Sequence, residues 1–421
     1  MYDSPPPLYG VSSDDSDTGL PGYSQAVSLD AIKFDSSASF THNLVFKGRS
    51  SNSCASLTLY GDGSFSKEFP TYLEGSTLRG LVKVNLEKPE SISMVVVSIR
   101  GEIVSGRSKH AFFESSETLW FHPAKSSRKL QGEHTWPFAM NIPQQVKLTV
   151  GPNDSLRPES ARLPHDCLEM RVLAGVEYQA AVRFYRPSPL KTDYRIIAPF
   201  GYIPVIRPHP PSYHRQIAYK ENVEIPNPAV DPQGWCTLPP VWIAGFSRQA
   251  VKATCTLSLA LPLSYTRGSV IPLYLTLQSE DIKALEALSS PNTIVCRLRR
   301  TIRYLSAEDF RETNYCHGKL GKFQHDHFEL ATWWLPSTQA WEKETFKRSL
   351  CGEIVLPRDL KPTTFVGQFR LEYSVVLLSF ASNGLESSGS NTNQNILLTH
   401  PVQIATAFAP GPLPRSYAPE L

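Results

Sequence analysis

Apolar and polar residues alternate in short runs over most of the chain, from about residue 56 to residue 404. The segments 77–87, 271–277 and 369–377 place apolar side chains at every second position. This period puts successive side chains on opposite faces of an extended strand. Short runs of this kind, separated by turn residues, are typical of antiparallel sheets. The pattern therefore predicts an all-β protein.

Two segments depart from the strand pattern. Residues 279–288 (SEDIKALEAL) place Ile282, Leu285 and Leu288 at helical spacing behind an acidic first turn, which predicts one short helix beside a sheet. Eight prolines occur in the 33 residues from Pro208 to Pro240. Because proline has no backbone N–H, this stretch excludes a regular strand ladder, and we place a domain boundary there.

The length of 421 residues exceeds one ordinary core and predicts two consecutive β-sandwich domains. Both ends are rich in Ser, Pro, Gly and Asp without a regular apolar period, so we expect disordered N- and C-terminal tails. The predicted parts are a disordered acidic tail (1–30), an N-terminal sandwich (31–214), a Pro-rich linker (215–240), a C-terminal sandwich (241–406) and a Pro-rich tail (407–421).

Composition and charge predict where the protein is located and which classes of partner it binds. No apolar run approaches the roughly 18 residues of a membrane span, and the first residues lack the basic and apolar regions of a signal peptide, so we expect a cytoplasmic protein. The first 32 residues carry five Asp and no Lys or Arg. Their charge of −5 leaves +8 on the remainder, which favours acidic partners or an anionic membrane surface, whereas nucleic acid is not expected.

Signatures of catalysis and of metal binding are missing from the sequence. It contains no GxSxG, no phosphate-binding GxxxxGK[ST] loop and no CxxC pair, and the spacing of Cys316, His317, His325 and His327 matches no strong metal pattern. Seven scattered cysteines do not form a disulfide framework. We therefore expect neither an enzyme nor a resident cofactor or metal.

Proline-tyrosine motifs are the sharpest functional signal. Consecutive prolines preset the polyproline II conformation, which docks on the aromatic groove of a WW domain with little loss of chain entropy, and a tyrosine two residues later fills a second pocket. The docking candidates are Pro6, Pro7 and Tyr9; Pro210, Pro211 and Tyr213; and, in the variant Leu20-Pro21-Gly22-Tyr23, Pro21 and Tyr23. A chain this rich in Pro also yields such motifs by chance, and Pro210 to Tyr213 has a rigid structural turn as its alternative. A weaker variant, 414–417, lacks the second proline.

A basic strand is the second candidate. The stretch 296–304 (CRLRRTIRY) places Arg297, Arg299 and Arg303 on one face. Guanidinium groups there could hold acidic cargo tails, phosphates or phosphoinositide headgroups. A solvated sheet face is the alternative interpretation.

The order of several short segments resembles the arrestin superfamily. For the N-terminal domain these are 69–84 (FPTYLEGSTLRGLVKV), 95–101 (VVVSIRG), 119–120 (LW), 130–138 (LQGEHTWPF) and 142–143 (IP). For the C-terminal domain they are 265–273 (YTRGSVIPL), 296–304, 350–362 (LCGEIVLPRDLKP), 371–378 (LEYSVVLL) and 401–404 (PVQI). The resemblance implies two immunoglobulin-like sandwiches joined by a short linker, without enzymatic activity.

The motifs are similar to those of the α-arrestins, or arrestin-related trafficking adaptors. That resemblance implies that the motifs recruit the WW domains of a HECT-type ubiquitin ligase. The body would engage cytosolic tails of membrane transporters or receptors, which are then ubiquitinated and endocytosed. It also implies a location at the plasma membrane or endosomes. These proteins usually carry PPxY in a C-terminal tail, whereas here the best motif is N-terminal. The alternative is an arrestin-like signalling or endosomal sorting scaffold that does not recruit a ligase.

Overall fold

The alternation of the sequence appears as strands. The computed structural model describes residues 37–45, 54–64, 66–121, 129–150, 157–187, 192–244, 252–304, 321–337, 346–367, 369–380 and 396–419. Most of these residues are in strands, with two short α-helices, so the predicted all-β class is confirmed. Leu78, Val82 and Val84 are buried along their strand while Arg79 and Lys83 between them are exposed, as the alternation predicts.

The first set of strands precedes residue 204. Its members are β1 Ser37–Val45, β2 Cys54–Asp62, β3 Thr71–Leu73, β4 Thr77–Glu90, β5 Met94–Ser105, β6 Ser108–Phe121, β7 Leu130–Asn141, β8 Gln145–Val150, β9 Arg157–Arg162, β10 Cys167–Glu169, β11 Ala174–Tyr185 and β12 Tyr194–Ile203. Most form one sheet in the order β6-β5-β11-β12-β3-β2-β4-β7, with β1 beside β2 and β10 beside β11, while β8 and β9 form a separate pair. Residues of β2 and β4 share a core with residues of β5 and β11, so the sheet curls around that core.

The second set follows residue 212. Its members are α1 Tyr213–Glu221, β13 Trp235–Thr237, β14 Val241–Ala244, β15 Lys252–Ala260, β16 Ser264–Thr266, β17 Val270–Ser279, α2 Ile282–Leu288, β18 Cys296–Tyr304, β19 Gly321–Leu330, β20 Thr332–Trp334, β21 Lys347–Val355, β22 Thr364–Val366, β23 Phe369–Leu378 and β24 Ile396–Ala405. The strands form two sheets, β13-β15-β17-β21-β20 with β14 beside β15, and β16-β24-β23-β18-β19 with β22 beside β23. Helix α2 confirms the helix predicted within 279–288.

Both sets contain the same local arrangement where a short strand is followed by a tight turn and a long strand, β3 before β4 and β16 before β17. Strand β3 pairs in parallel with β12, and β16 pairs in parallel with β24. Each short strand carries a buried tyrosine, Tyr72 or Tyr265, whose hydroxyl donates to a backbone carbonyl. A glycine follows three residues later, Gly75 with φ 83° and Gly268 with φ 78°. Only glycine adopts this left-handed conformation without strain, so these residues are required by the turn.

Two predicted boundaries differ from the structure. The segment 215–240, predicted as a linker, contains most of α1, a 3₁₀ turn at Pro232–Gly234 and β13. Residues 407–419 of the predicted disordered C-terminal tail pack on the body, so that prediction is wrong for the described part of the tail. Neither α-helix in the described residues is long and apolar enough to cross a membrane.

The two sets of strands share buried contacts. Among the described residues, no ladder joins a strand of the first set to a strand of the second. Buried apolar residues of both sets nevertheless belong to one connected cluster, and the described residues belong to one compact unit. The division into two immunoglobulin-like domains, 31–214 and 241–406, therefore remains a prediction.

Candidate functional site

The second PPxY motif lies in the segment that joins β12 to α1. Ser212 has φ −53° and ψ 153°, within the polyproline II region, and Tyr213 is the first residue of α1. Pro210 is exposed and Pro211 is half-buried. Tyr213 is 74% exposed. The motif therefore places a solvent-exposed tyrosine ring directly after Pro210, Pro211 and an extended Ser212. The alternative interpretation of these residues as a rigid structural turn stays a prediction.

Helix α1 holds this motif in place. The Ser212 hydroxyl oxygen accepts a hydrogen bond from the Arg215 N–H at 3.4 Å, which caps the helix. Arg215 is 2% exposed and donates to the carbonyl oxygens of Leu261, at 2.7 Å, and Gly234. Its guanidinium also lies 5.3 Å from the centre of the Trp235 ring. Burial lowers the pKa of Arg215. These contacts fix the start of the helix, and with it the Tyr213 backbone.

The same segment forms one wall of a cleft of about 1050 Å³. Arg207 and His209 lie on this wall, and Arg299 and Arg303 of β18 lie on the sheet opposite. Glu372 of β23 also lines the cleft, and its Oε2 accepts a hydrogen bond from Arg303 Nε at 2.8 Å. Three arginines against one glutamate give the cleft an excess of positive charge. An anionic ligand suits such a lining.

The three predicted arginines of β18 differ in their burial and in their position relative to the cleft. Arg299 is only 5% exposed and lines the cleft, so this position is not part of a solvated face. Arg303 also lines the cleft, with its side chain 42% exposed beside Glu372. Arg297 shares the face of the strand and is half-buried, but it is not part of the lining. A role of these residues in binding acidic cargo or lipid stays a prediction.

A network of charged and polar groups ties the first set of strands to the cleft. Asp166, just before β10, accepts a hydrogen bond from the Tyr202 N–H at 2.9 Å, and its Oδ2 lies 3.4 Å from Lys361 Nζ. His165 is 3% exposed, with Nδ1 3.2 Å from Asp166 Oδ1 and Nε2 3.3 Å from an Arg267 Nη1. Burial lowers the pKa of His165, although Asp166 opposes this shift. The network positions the segment that continues from Lys361 into the cleft wall.

The C-terminal segment packs along the other side of the motif. Arg207 donates to the Phe408 carbonyl at 2.9 Å, beside the cleft. Further along, the Tyr417 ring stacks on Tyr219 of α1, with ring centres 6.4 Å apart. The Tyr417 hydroxyl also donates to the Ala218 carbonyl at 3.0 Å. Residues 406–419 therefore run from the cleft to the face of α1.

Several predicted site residues lie outside the described residues. They are Pro6, Pro7, Tyr9, Pro21, Tyr23, Cys316 and His317. Docking of WW domains at the two N-terminal motifs stays a prediction, as does docking at Pro210, Pro211 and Tyr213. Within the described residues, no group of three or more His, Cys, Asp or Glu side chains is placed to hold a metal ion.

Sequence reasoning missed Arg207 and His209, which complete the cleft, and Glu353, which accepts hydrogen bonds from residues 416–418. Arg207 and His209 are isolated charges in a Pro-rich stretch, and β18 lies about 90 residues later. Glu353 is one of several polar residues of β21 and stands between Gly352 and Ile354. Nothing local marks these residues, because their partners are supplied by the tertiary fold. Helix α1 did leave a signal, a cap at Ser212 followed by Arg215, Ala218 and Tyr219 on one helical face.

Comparison with known proteins adds no relative. No protein-family model matches the chain, and a search of curated proteins finds no match either. The resemblance to arrestins therefore depends on the sequence segments quoted above.

Proposed function

We propose that this protein is a non-enzymatic adaptor with arrestin-like sandwiches. One end is formed by its proline-tyrosine motifs, which bind the WW domains of a HECT-type ubiquitin ligase. The other is formed by its β body, which binds the cytosolic tail of a membrane transporter or receptor. The ligase supplies the transfer chemistry, and the adaptor brings ligase and cargo together at the plasma membrane or endosomes. Ubiquitination and endocytosis of the cargo follow.

The observation that carries the proposal is the presentation of Tyr213. The large aromatic ring of a tyrosine is usually at least half-buried in a folded protein. Here Tyr213 is 74% exposed directly after Pro210, Pro211 and Ser212, and buried Arg215 holds the start of its helix. A fixed motif loses less conformational freedom on binding than a disordered one. A single site of this type is expected to bind in the micromolar range, about −8 kcal/mol.

The cleft beside the motif supports the cargo-binding role. Arg207, Arg299 and Arg303 line it, and the planar guanidinium group is suited to carboxylates and phosphates. Acidic segments of a membrane protein's tail would therefore bind within reach of the ligase. Because the segment 206–213 contributes to both sites, cargo and ligase would be held next to each other.

Peptide binding distinguishes an adaptor that recruits a ligase from a scaffold that does not. Titration calorimetry of a tandem WW protein with peptides 1–28 and 206–216 is expected to give micromolar affinity. Matched peptides with Tyr9→Ala or Tyr213→Ala are expected to give none. If neither unmodified peptide binds any WW domain tested, the ligase-recruiting function is wrong and a scaffold that recruits no ligase is favoured.

A further inference from the structure

Residues 416–418 are held by one buried carboxylate. Glu353 of β21 is 1% exposed, and it accepts hydrogen bonds from the Ser416 hydroxyl, the Tyr417 N–H at 3.2 Å and the Ala418 N–H at 2.9 Å. Hydrogen bonds to a charged acceptor are about twice as strong as neutral ones. The three donors come from consecutive residues, so a change at one of them affects the hold on all three.

Among residues 416–418, Ser416 is the exposed one, and its hydroxyl donates a hydrogen bond to Glu353. We propose that Ser416 is a phosphorylation site and that its phosphate releases residues 409–418 from the body. The donor is a nucleoside triphosphate held by a protein kinase. The Ser416 oxygen forms a bond to the γ-phosphorus while the bond between that phosphorus and the departing nucleoside diphosphate breaks. The hydroxyl proton passes to the base of the kinase.

Phosphorylation removes one attraction and adds one repulsion. The esterified Ser416 oxygen has no proton left to donate to Glu353. The phosphate also adds a charge of about −1.5 to −2 at neutral pH. It would lie beside a carboxylate that is closed off from water, where like charges repel more strongly than in solvent. Both effects act on the same contact, so residues 416–418 leave the carboxylate together.

Release of this segment would uncover the inner side of the second PPxY motif. Ala409, Pro412 and Pro414 line a small cavity together with Pro208 and Pro211. Departure of these residues would open the proline pair to a partner, a step that rests on the proposed WW-domain function. The structural release itself does not depend on that function.

Hydrogen exchange measures the release directly. The full chain is prepared with phosphoserine at position 416 and compared with the unmodified chain. Exchange at the Tyr417 and Ala418 amides is expected to be at least about tenfold faster in the phosphorylated chain, and unchanged exchange would overturn the proposal. Ser416→Ala is the matched control, because it removes the hydroxyl donor without adding charge, and a smaller acceleration is expected. Equal acceleration in both chains would show that the added charge has no effect.

A second variant tests the repulsion without touching Ser416. Glu353→Gln keeps an oxygen acceptor but removes the negative charge. In chains that carry Glu353→Gln, phosphorylation of Ser416 is expected to accelerate exchange at the Tyr417 and Ala418 amides less than it does in chains that keep Glu353. Phosphopeptide mapping of the full chain from eukaryotic cells treated with phosphatase inhibitors is expected to find phosphate on Ser416. Phosphate on other serines alone would overturn the assignment.

Binding of a tandem WW protein then distinguishes the two proposals. If phosphorylation accelerates exchange and also strengthens WW binding of a Tyr9→Ala chain, both proposals are supported. Accelerated exchange without any WW binding supports the release and counts against the adaptor function. Stronger WW binding with unchanged exchange would overturn the release and leave the adaptor function in place.

Discussion

Asp166 offers a quantitative test of how the two sets of strands are held together. Burial raises the pKa of this carboxyl group, but the hydrogen bond and the electrostatic interaction with His165, the positive charge of Lys361 and the Tyr202 N–H outweigh burial and lower the pKa to about 2. An Asp in the unfolded chain has a pKa of about 3.9. Asp166→Asn removes the charge, while the amide oxygen can still accept from the Tyr202 N–H.

The difference between these pKa values sets the size of the effect. The two pKa values differ by about two, and at about 1.36 kcal/mol for each step of one this gives roughly 2–3 kcal/mol of stability at pH 7. A lowered folded pKa means that this stability is fully present above the unfolded pKa and is lost as pH falls through the folded one. We therefore expect the contribution to fall to about half at pH 3 and to be nearly gone below pH 2.

Urea unfolding of both chains measures this contribution. The free energy of unfolding of Asp166→Asn is expected to be roughly 2–3 kcal/mol below that of the unmodified chain at pH 7, and the gap is expected to be about half as large at pH 3. Glu117→Gln, at an exposed position of β6, is the control for loss of a surface carboxylate, and its free energy of unfolding should stay within about 0.5 kcal/mol of that of the unmodified chain. A gap of equal size at both pH values would refute the electrostatic explanation and point to a packing effect.

Three further predictions follow from buried positions. Tyr265→Phe removes the donor to a backbone carbonyl and should lower the free energy of unfolding by about 1 kcal/mol in urea titration; no change would contradict the bond. Gly80→Ala would place a Cβ against the Phe138 ring and the Thr58 carbonyl oxygen, so we expect a loss of about 1–3 kcal/mol, and a neutral effect on the unfolding midpoint would count against that packing. Burial raises the pKa of the Cys255 thiol to about 12, so iodoacetamide at pH 8 should modify exposed Cys54 first, and mass spectrometry showing equal rates would disagree with the structure.

Local patterns predicted the strands and α2 because their information lies in neighbouring residues. The alternation in β4 and the spacing of Ile282, Leu285 and Leu288 each need only a few positions in sequence. Helix α1 was missed because eight prolines dominate its surroundings and because a buried arginine, Arg215, occupies its apolar face. From sequence alone an arginine at that position is expected to face solvent. Only the tertiary structure shows the carbonyl oxygens that accept its hydrogen bonds.

The candidate site was predictable only in part, because it is assembled from distant segments. The arginines of β18 were found from their alternation, but their cleft depends on Arg207 and His209 from the segment before α1. The C-terminal segment has a composition typical of disorder, yet Tyr417 packs on Tyr219 and residues 416–418 bind Glu353. Composition gives the average tendency of a segment, whereas a single buried carboxylate decides where this one lies.

Capture of a WW-domain protein by the full chain tests the central claim most directly. The unmodified chain and the double variant Tyr9→Ala with Tyr213→Ala are each passed over an immobilised tandem WW protein from a HECT-type ligase, with circular dichroism to verify equal folding. The unmodified chain is expected to be retained and the double variant is not, since the phenol rings of both full PPxY motifs are gone. Undiminished retention of the double variant would contradict the claim.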